Sequence, residues 1–327
     1  MYESTEHCAA KAEPPPQQRI KIILMGDSIT QGSFSATLSG WGAYLADVYQ
    51  RRADVYNRGF SGYNTDWFAN YLEMGQGRRD LFFKAPLDDD IMERASESSS
   101  TNIQLEVQKG ENNVKLVTIF FGANDASDAI LNPRHHVPLS RFQANLHTIA
   151  SLCRKNYGPD VHILFITPPP VHHESRLKFQ IEKFGKEKAT GKLERSLELS
   201  GMYASAVESV ANQLGVPCLN LWKKMQESKP SLNTSSDDGI EEGELPWGSY
   251  LSDGLHLSRE GNLFVGRCVQ EMIHDNFPDI AVSPCPSSGG YNSGSRGGKG
   301  VGGAGGVGPW HDQINSGNPL IFKHERD

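Results

Sequence analysis

The apolar positions of the chain fall into two alternating rhythms. Short β-branched or apolar runs cover residues 20–25, 54–57, 115–121, 161–167 and 216–221, and each predicts a strand. Three of these runs are nearly continuous, as strands need to be when both faces of a sheet are covered. Between them apolar residues recur at helical spacing: Trp41, Tyr44, Leu45 and Val48 share one stripe, and Phe142, Leu146, Ile149 and Leu152 share another. The alternation of strand and helix predicts an α/β sandwich around a parallel sheet. In such sheets ligands bind beyond the carboxyl ends of the strands, so the loops leaving each strand are where chemistry is expected.

Three stretches break the rhythm. Residues 88–113 carry a run of aspartates and a cluster of serines with few large apolar side chains, which predicts an insertion. Because it enters the amino end of the third strand, it is expected away from the ligand loops and not as a lid. Residues 232–244 are acidic and small, and they lead into Ser252-Asp253-Gly254-Leu255-His256, so they are expected near the site. Of 33 glycines, 11 lie in 289–308, too sparse in apolar side chains to pack on their own. The expected division is therefore a flexible segment at 1–19, one folded domain at 20–280, and a glycine-rich tail at 281–327.

Charge and cysteine usage narrow the classes. A net charge of -7 supplies no basic footprint for a phosphate backbone, so nucleic acid is not expected as a partner. No apolar run approaches the roughly 18 residues that span a bilayer, and the first residues are polar and proline-containing, so no stable membrane insertion is expected. The five cysteines Cys8, Cys153, Cys218, Cys268 and Cys285 are odd in number and scattered, which predicts free thiols and a cytoplasmic protein.

Four strand ends or loops carry candidate chemistry. The first strand ends in Gly26-Asp27-Ser28, where a serine at a strand-to-helix turn points its hydroxyl into the crevice beside free backbone N–H groups. A plain helix cap is the alternative there. The second strand runs into Asn57-Arg58-Gly59-Phe60-Ser61-Gly62, where Gly62 offers either an N–H aimed across the crevice or an ordinary turn. After the third strand, Gly122-Ala123-Asn124-Asp125 places an uncharged amide donor where negative charge would develop, or again a cap. Asp253 precedes His256 by three residues, a span a turn can close so that the carboxylate holds Nδ1–H and Nε2 faces the serine. Alone, such a pair is common on surfaces.

Other signals lead nowhere. The G-x-G-x-x-G match at 298–303 has no strand before it and no helix after it. The G-x-S-x-G elbow is missing, because Thr30 stands where its second glycine belongs. His135-His136 and His172-His173 lack a third ligand, so neither metal nor other cofactor is expected, although the second pair is expected to border the substrate.

Together, Gly26-Asp27-Ser28, the Gly62 turn, Gly122-Ala123-Asn124-Asp125 and Asp253-x-x-His256 resemble the four signature blocks of the SGNH hydrolases, also called the GDSL family. The longer matches, among them Ile166-Thr167-Pro168-Pro169-Pro170-Val171 and Ser252-Asp253-Gly254-Leu255-His256-Leu257, are similar to the isoamyl acetate-hydrolysing esterase group over about residues 20–275. The resemblance implies a flavodoxin-like fold, a three-layer α/β/α sandwich with a five-stranded parallel sheet. It also implies Ser28 as nucleophile, His256 as general base and acid, and Asp253 as its orienter. The backbone N–H groups of Ser28 and Gly62 and the side chain of Asn124 would form the oxyanion hole. The activity so implied is hydrolysis of small short-acyl esters, with a small-molecule ester as partner and a homodimer left open. Deacetylation of sugars, thioester or lysophospholipid cleavage, and a non-catalytic binding module stand as the alternatives.

Overall fold

The computed structural model describes residues 19–82, 113–187, 191–228 and 246–282. The expectations for 88–112, for 232–244 and for the tail from 283 therefore lie outside the described residues, as does that for 1–18.

Five strands form one sheet: β1 (Ile20–Gly26), β2 (Ala53–Gly59), β3 (Val114–Phe120), β4 (His162–Ile166) and β5 (Cys218–Leu219), in the order β2-β1-β3-β4-β5. Every pair is parallel. The order reverses between β1 and β3, and the crevice beyond their carboxyl ends is the expected ligand position. Gly26, the last residue of β1, is in register with Gly59 of β2 and Phe120 of β3, so the three following loops leave the sheet at one level.

Alternate residues of the central strands feed two separate cores, which is what makes the sheet the middle of three layers. Ile22, Leu24, Leu116 and Leu164 pack against Trp41 and Leu45 of α2 (Trp41–Val48) and against Val265, Val269 and Ile273 of α9 (Arg259–Asn276). Ile23, Met25, Val117 and Phe165 point the other way. They meet Phe68 of α3 (Thr65–Glu73), Phe142, Leu146 and Ile149 of α5 (Leu139–Tyr157), and Val207 and Val210 of α7 (Leu197–Leu214). Both stripes seen in the sequence face these cores, although Tyr44, Val48 and Leu152 are only partly buried and Cys153 takes the fully buried place next to Leu152. The remaining helices are α1 (Ser28–Gln31), α4 (Gly75–Phe82), α6 (His173–Phe184) and α8 (Leu221–Glu227).

The fifth strand is shorter than the run 216–221 predicts. The Val216 N–H closes the end of α7 on the Ala211 carbonyl, Pro217 has no N–H to give to a ladder, and the Asn220 side chain accepts from Lys223 N to start α8. Only two residues are left to pair. The second strand is longer than expected because the backbone pairs with β1 through Arg58 and Gly59 regardless of side-chain polarity. Among the described residues no helix is long and apolar enough to cross a membrane, and Cys153, Cys218 and Cys268 are unpaired thiols.

Candidate active site

The first turn after β1 holds both readings that the sequence left open, on different residues. Asp27 is the cap: its carboxylate accepts from Ile29 N at 2.9 Å. Ser28 is thereby left as the first helical residue with its hydroxyl free to face the crevice. Burial pushes the Asp27 carboxyl up to about 6, against the pull of its backbone bond to Ile29 and of the charges on His256 and Arg195.

Ser28 Oγ lies 2.9 Å from His256 Nε2, and His256 Nδ1 lies 2.8 Å from Asp253 Oδ2. A carboxylate can only accept, so Nδ1 carries the hydrogen and Nε2 is left as the acceptor for the serine hydroxyl. Asp253 is held on both oxygens. Its Oδ1 accepts from the backbone of Leu255 at 3.0 Å and of His256 at 2.7 Å, closing the turn that sets the three-residue spacing. Burial works to raise the Asp253 carboxyl, but the hydrogen bond and charge of His256 and these two N–H groups overcome it and hold it well below the usual carboxylate range. Gly254 permits the turn. Its φ is +77°, and a Cβ there would stand 2.5 Å from Arg176 N and His172 O, because the loop rests on the first turn of α6.

The other two blocks are bonded to the first. Gly62 has a φ of +79° at the tip of the turn after β2, as its identity suggested. Ser61 N donates to Gln31 Oε1 at 2.7 Å, which ties that turn to α1. Asn124 Nδ2 donates to the Tyr63 carbonyl at 2.9 Å, and Thr65 N donates to Asp125 Oδ1 at 2.9 Å, which tie it to the loop after β3. Burial pushes the Asp125 carboxyl up to about 7 despite its bonds from Thr65. Neither the Ser28 nor the Gly62 N–H meets a protein acceptor among the described residues, so both can serve a bound oxygen. Ser28, His256 and Asp253 thus form one hydrogen-bonded chain, and the turns that carry Gly62 and Asn124 are bonded to α1 and to each other.

Two further arginines stand behind them, and the sequence reading missed both. Arg176 Nη1 donates to Asp253 Oδ2 at 3.0 Å, and Arg195 Nη2 donates to Asn124 Oδ1 at 3.0 Å. Nothing in the apolar pattern marks them, since an arginine in the charged α6 or before α7 reads as a solvated face. Of the second histidine pair, His172 is buried, caps α6 through Ser175 and packs edge-on against Trp247, while His173 is exposed at the start of α6. His135, from the pair set aside, lies closer: its Nε2 is 4.0 Å from where a Gly62 Cβ would stand. It also lines a cleft of about 450 Å³ with Leu131, Phe179, Phe184, Arg176 and Arg195, and neither Ser28 nor His256 is part of that lining.

The chain is similar to known proteins over most of its length. Residues 22–269 match the family described as GDSL-like Lipase/Acylhydrolase. A GDSL esterase/lipase of Arabidopsis thaliana is 38% identical over 81% of this chain and 91% of its own length. An isoamyl acetate-hydrolyzing esterase 1 homolog of Bos taurus is 37% identical over 79% of this chain and 83% of its own. Among solved structures, a lipase/acylhydrolase from Enterococcus faecalis superposes with a TM-score of 0.47 at 21% identity, over 78% of this chain and 96% of that one. With residues 22–269 matched and these relatives named as esterases, the chain belongs to the GDSL-like lipase/acylhydrolase family and is a serine hydrolase acting as an esterase.

Proposed function

We propose that the protein hydrolyses small, short-acyl esters of the acetate type through a covalent serine intermediate. The observation that carries the mechanism is the unbroken hydrogen-bond chain from Ser28 Oγ to His256 Nε2 and from His256 Nδ1 to Asp253 Oδ2, at 2.9 and 2.8 Å. In the first half-reaction the Ser28 proton passes to His256 Nε2 as Oγ bonds to the ester carbonyl carbon. The tetrahedral oxygen takes the negative charge and is held by the N–H groups of Ser28 and Gly62 and by the Asn124 amide. His256 then gives its proton to the departing alcohol as the C–O bond breaks. In the second half-reaction water loses a proton to the same nitrogen, attacks the acyl carbon, and the acid leaves as Ser28 regains its proton.

The preference for acetate-type esters is supported by the relatives named as isoamyl acetate-hydrolyzing esterase homologs in cattle and mouse, each 37% identical to this chain. A cytoplasmic location is part of the same proposal, supported by the unpaired thiols of Cys153, Cys218 and Cys268. The test is a panel of p-nitrophenyl esters of rising acyl length set beside acetylated sugars, thioesters and lysophospholipids. Highest kcat/KM on acetate or propionate esters, falling with chain length, is the expected result. A maximum on long acyl chains or on acetylated sugars contradicts the substrate assignment. A stoichiometric burst of p-nitrophenol before steady state tests the covalent intermediate.

A further inference from the structure

Arg176 and Arg195 are each only 7% exposed. Burying a guanidinium forfeits its hydration, which ion pairs must offset, so what these two groups bond to is informative. Arg176 spans two carboxylates, giving Nη1 to Asp253 Oδ2 at 3.0 Å and Nη2 to Glu194 Oε1 at 3.2 Å. Arg195 gives Nη1 to the same Glu194 Oε1 at 2.7 Å, Nη2 to Asn124 Oδ1 at 3.0 Å and Nε to the Ala123 carbonyl at 2.9 Å. Gln180 Nε2 holds the other Glu194 oxygen at 2.7 Å, and Asp128 N holds the Glu194 carbonyl at 2.7 Å. A continuous polar chain therefore runs Asp253, Arg176, Glu194, Arg195, Asn124.

We infer that Arg176, Glu194 and Arg195 are positioning residues for hydrolysis: one buried ion bridge that sets the Asp253 carboxylate with one guanidinium and the Asn124 amide with the other. The inference rests on the roles proposed above for Asp253 and Asn124.

The contacts fall on the atoms whose orientation matters. An asparagine amide can rotate by half a turn at little steric cost, and only its bonding partners decide which end faces the substrate. Arg195 can only donate and the Tyr63 carbonyl can only accept, so Asn124 Oδ1 faces the first and Nδ2 the second, 2.9 Å away. Nδ2 keeps one hydrogen for the developing oxyanion. Without Arg195 the oxygen loses its reason to face inward, and the rotated amide would present an acceptor to the negative charge. At the other end, Arg176 bonds the same carboxylate oxygen that holds His256 Nδ1, so it fixes the plane in which the imidazole is presented to Ser28. Arg176 Nε finds no partner among the described residues, so its placement satisfies the bridge before it satisfies itself.

The test is a double-mutant cycle on the full chain, with kcat counted per active site titrated by a fluorophosphonate. Arg195→Leu is expected to lower kcat about 10- to 100-fold with KM changed by less than about threefold. If Arg195 acts through Asn124, adding Arg195→Leu to Asn124→Ala costs almost nothing further. Losses that multiply in the double variant overturn the inference. Should Arg195→Leu fold poorly, Arg195→Lys serves: one ammonium cannot hold Glu194, Ala123 and Asn124 together, so a partial loss of kcat is expected and full activity contradicts the bridge.

Exchange of the Asn124 side-chain amide hydrogens, read by NMR in a Ser28→Ala background, tests the same positioning without turnover. Exchange about tenfold faster in Arg195→Lys supports it, and unchanged exchange overturns it. If Ser28→Ala itself keeps full activity, the proposed function fails, while the exchange measurement still decides the positioning claim.

Discussion

Replacing Asn124 with alanine probes the oxyanion assignment, and its size follows from how the amide is spent. One Nδ2 hydrogen goes to the Tyr63 carbonyl at 2.9 Å and the oxygen goes to Arg195 at 3.0 Å, so a single N–H remains for substrate. Loss of one preorganised donor in a water-poor site costs about 10²- to 10³-fold in kcat, or about 2.7–4 kcal/mol of transition-state stabilisation. The ground-state carbonyl is weakly charged, so KM is expected within about threefold of wild type. A second effect accompanies the first: Arg195 Nη2 is left buried without an acceptor, which costs about 1–3 kcal/mol of stability. The two are separable by steady-state kinetics at 25 °C on protein whose folded fraction is checked by thermal unfolding. Asn124→Asp sharpens the test, because it keeps an acceptor for Arg195 but has no N–H where the oxyanion forms. It is expected to lose at least as much kcat while leaving Arg195 paired. A fall carried by KM, or a kcat within a few-fold of wild type in either variant, would refute the reasoning.

Three further outcomes follow from the same geometry. Ser28→Ala and His256→Ala are each expected to reduce esterase activity to a similar floor, and combining them adds little because they work as one unit; independent, multiplying losses in kcat measurements would break that unit. Gly254→Ala forces a side chain into φ +77° with its Cβ 2.5 Å from the α6 backbone, so the Asp253 to His256 turn must shift, and a loss of kcat at least tenfold is expected with the sheet intact by circular dichroism.

Burial raises Asp125 to about 7 and Asp27 to about 6, above their unfolded values, so the folded state binds these protons more tightly. The stability they contribute is fully present below about pH 4 and is lost as pH rises through about 6 to 7. Urea unfolding is therefore expected to show a drop on the order of 4 kcal/mol between pH 5 and pH 8, a window clear of Asp253 and Glu194, whose depressed values act at lower pH. Asp125→Asn should remove the larger part of that drop and leave the share of Asp27, and an unchanged slope counts against the buried acid.

How much of this was legible in the sequence depends on the kind of signal. The sheet was legible because strands buried on both faces must be nearly all apolar, and Ile22 to Met25, or Leu116 to Phe120 with Thr118 as its one polar residue, allow little else. Strand ends were less so, since they are set by capping and pairing: Asn220 starts a helix, and Gly59 pairs because Gly26 lies beside it. Ser28, Gly62, Asn124, Asp253 and His256 stood out because each falls at a strand end or in a short polar turn where few residues fit, and the structure joins Ser28, His256 and Asp253 by hydrogen bonds. Arg176, Glu194 and Arg195 were not. Their meaning lies in who meets whom across loops far apart in sequence, 77 residues from Arg176 to Asp253 and 71 from Arg195 to Asn124, and charge on a helix looks the same whether it faces water or an ion pair. His172 adds a role of the same hidden kind: it is 4% exposed and caps α6, and neither could be read from its place after β4.

The central claim is that Ser28 is the group that takes the acyl chain, because His256 stands 2.9 Å from its hydroxyl with Asp253 behind it. Labelling the purified full-length protein with a fluorophosphonate and locating the adduct by peptide mass spectrometry tests this most directly. A single adduct on Ser28, absent from Ser28→Ala and formed at least about 100-fold more slowly in His256→Ala, is the result predicted. An adduct on another residue, or ester hydrolysis that survives in Ser28→Ala, would contradict it.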